Sequence, residues 1–315
     1  MSHPSPQADF RAVVSLFWRA KFRLLAFVAV GGLVATVLAI RSPDVYTSEV
    51  LVMPVESTSG TPQNLGLISS LGAIAGVNLQ SSASQMELAI ALIESRDFLV
   101  RFTAKHDIAP ELIAAQSWDE VSGALRYDSA MYAEQNNQWL ATFAAGKVGP
   151  TDSAVYDAFR NILRVQRDPN TGFATVSVSH LSPDLANTWA RLLVAETNAV
   201  MRQKATEELD RSIEYLNKQM EGTNIAELKS SFAELLQAQI RDRMLADARS
   251  EYAMQTVDPA FRPDEPSGPP RKLMVLAGLI LGGGLGVLAV LFAAVGLNHS
   301  SGAERSEKDG NKDLG

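Results

Sequence analysis

Histidine, the side chain best suited to proton transfer near neutral pH, occurs four times, as His3, His106, His180 and His299, and the four are scattered along the chain. Cysteine is absent, which removes disulfides, thiolate metal sites and a cysteine nucleophile. No HExxH, GxSxG or GxxxxGK[ST] pattern occurs among the 315 residues. Glu207, Glu208 and Asp210 fall within a helical run and read as its solvated flank, while Asp264 and Glu265 read as exposed linker charges. This pattern nominates no catalytic, cofactor-binding or metal-binding residue, and the chain reads as a non-enzyme.

The residues that stand out instead suit non-covalent packing. Pro259, Pro263, Pro266, Pro269 and Pro270 stiffen a linker, 259–272, that passes Arg271 and Lys272 into an uncharged run from Leu273 to Leu297. Twenty-five apolar residues are enough to cross a bilayer. Within that run Gly278, Gly282 and Gly286 recur every four residues. A four-residue period places them on one helical face, where a second helix can approach closely.

A second uncharged block lies near the N-terminus. Leu24–Ile40 is 17 residues without a charge, roughly 26 Å as a helix, with Phe22 and Arg23 available to complete it. Phe17, Trp18, Arg19, Lys21 and Phe22 before it suit a membrane interface. The rival reading, a cleaved signal peptide, lacks a clear A-x-A site at Leu38–Arg41. Gly31, Ala35 and Ala39 form a small-residue stripe of their own. Residues 1–23 carry a net charge of +3 and residues 41–272 a net charge of -9, out of -7 for the whole chain. A basic N-terminal flank places that end in the cytoplasm. An acidic middle section argues against a nucleic-acid partner. Arg271 and Lys272 then lie on the outer side of the second span, against the positive-inside bias.

Between the spans, 41–258, the pattern is mixed. Tyr46–Pro54 (YTSEVLVMP) reads as a strand. Leu65–Val77 is too short and glycine-rich for a third span and reads as a covered loop or short helix, or else a membrane-surface segment or oligomer contact. Met86–His106 has helical periodicity, Asp107–Ser122 suits short helices with Trp118 as a core or interface aromatic, and Ser153–Leu163 is again helical. Leu163–Gln166 and Phe173–Val178 form a hairpin around the turn Asp168-Pro169-Asn170-Thr171-Gly172. Ser182 and Pro183 then open a helix. No proline follows until after Val257, so a helix over about 183–257 would reach on the order of 110 Å. Leu209, Ile213, Leu216 and Met220 form an a/d seam along it, and Leu228, Phe232 and Leu235 resume one after Gly222-Thr223-Asn224. That interruption is either a stutter in one rod or the tip of a hairpin.

Taken together, these stretches resemble the chain-length determinant (Wzz-type) family, the polysaccharide co-polymerases of the bacterial inner membrane. The likeness is carried by YTSEVLVMP, by TGFATVSV running into SPDLANTWARLLV, and above all by VDPAFRPDEPSGPPRKLMVLAGLILGGGLG. Pro263 and Pro266 match the family's P-x-x-P. Where the family commonly has Ser-Pro-Lys this chain has Pro269-Pro270-Arg271, so the serine is missing. The resemblance implies an α+β domain, with an α/β base near the membrane and a long, coiled-coil-like helix projecting into the periplasm, between two transmembrane helices. It implies a homo-oligomer, a membrane polysaccharide polymerase as partner, and both termini in the cytoplasm. The growing glycan or an outer-membrane export protein would be further partners. The implied role is setting the length of an O-antigen-type lipopolysaccharide or, alternatively, serving capsule or exopolysaccharide polymerisation and export. The tail 298–315 has no room for the tyrosine kinase of a related branch, nor for the output domain a two-span sensor needs. A coiled-coil transport adaptor would do without the second span.

Overall fold

The computed structural model describes residues 6–55, 82–143, 146 and 148–309, so Leu65–Val77 lies outside the described residues. The chain divides into two compact units, one formed by Met1–Asp44 with Gly268–Gly315 and the other by Val45–Ser267.

The larger unit is built on a four-stranded antiparallel sheet. Its strands are β1 (Tyr46–Pro54), β6 (Leu163–Arg167), β7 (Ala174–His180) and β8 (Met254–Asp258), in the order β6-β7-β1-β8. Strand alternation explains the sidedness of β1: Tyr46, Ser48, Val50 and Val52 are buried, whereas Glu49 is exposed. Val50 pairs with Val176 and Val176 with Val165. Over the apolar face lie α2 (Ser82–Ile93), α3 (Arg96–His106), α5 (Asp152–Ile162) and the first turns of α6 (Pro183–Gly222). Met86, Ile93, Leu99, Phe159, Trp189 and Leu193 meet there, all essentially inaccessible. The β6–β7 turn folds as its residues dictate. The Asp168 carboxylate accepts from the Asn170 N–H and the Thr171 hydroxyl, each at 2.9 Å, and Gly172 takes the left-handed conformation at φ 75°.

The expected helix Met86–His106 is two helices. Ser95 interrupts it, its hydroxyl accepting from the Phe98 N–H at 3.3 Å as the N-cap of α3. The expected short helices in Asp107–Ser122 reduce to α4 (Ala109–Ile113). The rest is β2 (Ala115–Trp118), paired with β3 (Leu125–Tyr127). Trp118 packs edge-on against Tyr46 at 5.4 Å. Further on, β4 (Tyr132–Ala133) pairs with β5 (Gln138–Trp139).

Of the two readings left open for the run over about 183–257, the hairpin is the one observed. After α6 the backbone extends through Thr223 to Ile225 and returns as α7 (Ala226–Ala248). Arg243 of α7 reaches Asp210 of α6 at 2.7 Å, and Arg202 of α6 reaches the Arg249 carbonyl at 3.0 Å, so the two arms are antiparallel. The physical reason is burial: a lone rod leaves its apolar seam wet, while a hairpin covers it. The final residues, 254–258, are not helical but form β8 on the edge of the sheet. Asn198, 2 % exposed, ties that strand to α6. Its side-chain oxygen accepts from the Ala253 and Met254 N–H groups, and its amide donates to the Met254 carbonyl.

The smaller unit consists of two helices, α1 (Pro6–Arg41) and α8 (Arg271–Asp309). Leu24–Arg41 and Arg271–Val290 are long and apolar enough to cross a membrane, with mean hydropathies of 2.2 and 2.4.

Candidate functional site

Three features singled out by sequence fall in different places. Gly278, Gly282 and Gly286 lie along α8 where α1 crosses it. A side-chain carbon on Gly282 would stand 2.6 Å from the Phe27 carbonyl oxygen, and one on Gly31 would stand 2.6 Å from that of Gly278. Gly278 meets Ala35, and Gly286 faces Phe27 at 3.0 Å. Backbone therefore packs on backbone, which only residues without side chains allow. Gly284, by contrast, has open space around it. The two small-residue stripes engage each other within one chain.

At the head of these helices the Pro270 carbonyl accepts from the Leu273 and Met274 N–H groups at 2.9 and 3.0 Å, capping the first turn of α8. Arg271 forms an ion pair with Asp44 at 2.8 Å.

The linker up to Ser267 belongs to the larger unit and is pinned along its length. The Phe261 carbonyl accepts from the Ser48 hydroxyl at 2.7 Å, and Arg262 pairs with Asp184 in the first turn of α6 at 2.7 Å. Pro263 is buried and Pro266 exposed. Ser267 donates both its N–H (2.9 Å) and its hydroxyl (3.0 Å) to the Val45 carbonyl. Thr47 then donates to the Ser267 oxygen at 2.7 Å, and Ser179 to Thr47 at 2.8 Å. This hydroxyl chain holds residue 267 beside residue 45, so both ends of the unit leave it together. Ser267 has no sequence signal beyond being a lone polar residue between Pro266 and Gly268.

The seam Leu209, Ile213, Leu216 and Met220 lies on the partly covered face of α6, with Leu216 buried. On α7 it is Phe232, Leu236 and the buried Ala246 that are sheltered, whereas Leu228 and Leu235 stay 44 % and 49 % exposed.

Two helices long and apolar enough to span a membrane thus stand before and after a mixed helix–strand domain with a long helix. Residues 6–106 match the sequence model of the Wzz family, described as chain length determinant protein. A solved structure described as "full-length bacterial polysaccharide co-polymerase" aligns at 12 % identity with a TM-score of 0.37, over 90 % of this chain and 97 % of that one. No curated protein matches the chain. The family match covers about the first third of the chain.

Proposed function

We propose that the chain is a two-pass inner-membrane scaffold that sets polysaccharide chain length without chemistry of its own. Both termini are cytoplasmic and the α+β domain is periplasmic. Several copies assemble, and the assembly acts beside a membrane polymerase on an O-antigen-type lipopolysaccharide or a related surface glycan, with capsule or exopolysaccharide export as the alternative. The growing glycan and an outer-membrane export protein are its further contacts. The observation that carries this reading is the family match over residues 6–106, supported by the paired apolar helices and the basic flank of the first.

In this reading Pro263, Pro266, Pro270 and Arg271 fix how the domain is joined to the membrane helices. Gly278, Gly282 and Gly286 hold those helices together, leaving their outer faces for other copies or the polymerase. The seam Leu209, Ile213, Leu216 and Met220 keeps the helical hairpin closed. Gly282→Leu places a side chain where the Phe27 carbonyl lies 2.6 Å away and forces α1 and α8 apart, an overpacking on the order of 1–3 kcal/mol. Surface polysaccharide resolved on a gel is expected to lose its preferred length in that variant and keep it in Gly284→Leu, at equal protein levels. An unchanged profile in Gly282→Leu overturns the part assigned to helix packing.

A further inference from the structure

His180 is the last residue of β7 and is 6 % exposed. Its Nδ1 accepts from the Ser182 N–H at 3.0 Å, so the neutral ring carries its proton on Nε2 and donates it to the Glu111 carbonyl at 3.1 Å. The ring lies against Trp189, centroids 4.7 Å apart. One imidazole thus joins three elements: the end of the central strand, α4, and the start of α6, where Ser182 is the N-cap. It does so only when neutral, since a proton on Nδ1 would face the Ser182 N–H donor.

We infer that His180 is an acid-sensitive latch: its protonation releases α4 and the first turn of α6 from the end of β7. Burial already holds its pKa below the ordinary histidine value. The sign follows from that direction. The neutral form is the folded one, the contribution is complete above about pH 6.5, and it is lost as the pH falls below that value. The titratable groups around the ring do not rescue the cation. Tyr46 stands across the strand pair in β1, Glu111 lies in α4 with Asp107 just before it, and Asp184 in α6 is engaged with Arg262. Among the described residues none forms an ion pair with His180. Burial raises the Glu111 carboxyl, so its own protonation favours the folded state, at lower pH and with opposite sign. The inference stands on this contact geometry and does not depend on the glycan reading.

The test is amide hydrogen exchange on the full chain in detergent at about pH 7.5 and about pH 5.5, corrected for intrinsic exchange. Residues 108–118 and 180–186 are expected to lose about tenfold in protection at the lower pH, one decade per unit below the ordinary value. His180→Asn, which keeps an oxygen acceptor for Ser182 but cannot titrate, is expected to remove that dependence, while His106→Gln is expected to leave it. Unchanged protection in the wild type, or the same loss in His180→Asn, overturns the latch. Should His180→Asn fail to fold, the wild-type imidazole resonance decides. A ring that stays neutral until protection falls supports the latch, and one that titrates at about pH 6.5 with protection intact overturns it.

Discussion

Asn198 ties β8 to α6 through one buried side chain. A single side chain satisfies two backbone donors and one acceptor where the hairpin returns to the sheet. Asn198→Ala leaves all three buried groups without that partner, each worth roughly 1–3 kcal/mol, and is expected to cost about 2–5 kcal/mol in chemical denaturation of the full chain. A loss under about 0.5 kcal/mol would mean that β8 is held by the sheet alone. Ser267 and Asn198 were equally hard to find from sequence, for the same reason. The value of each is set by partners far along the chain, at Val45 and at Met254, and a polar residue in a loop or helix carries no local mark of that. The glycines of α8 were legible because their signal, a four-residue period in an apolar run, is local.

At the scale of elements, β1 and the β6–β7 turn could be read because alternation and turn chemistry are short-range. Ser182-Pro183 marked the start of α6 for the same reason. The break at Ser95 was hidden because a capping serine inside a periodic run looks like any surface residue. The tip of the hairpin was located by Gly222, but glycine is not what makes it turn. Gly222 ends α6 with nothing within 4 Å of where a side chain would start, and the reversal runs through extended Thr223 and Ile225. Gly222→Ala is therefore expected to raise stability by about 0.5–1 kcal/mol in thermal unfolding, the ordinary gain for glycine in a helix. A loss of stability would show that the turn depends on glycine after all. The seam was only half legible. On α6 the a/d positions are the sheltered ones, whereas on α7 Phe232 alone of the expected three is sheltered and Leu236 takes the place of Leu235, because the facing arm decides which stripe is buried.

For the whole molecule, the α+β character of the middle section and the two apolar ends followed from composition and patterning. Whether the long run is one rod or a hairpin did not: α6 has 40 residues, about 60 Å with its first turns on the sheet, and α7 has 23. The central proposal is that this chain regulates polysaccharide length. It is tested most directly by comparing the size distribution of surface polysaccharide from otherwise identical cells with and without it. The account predicts a preferred length in its presence and a loss of that preference, with polymer still made, in its absence. An identical distribution in both would contradict it.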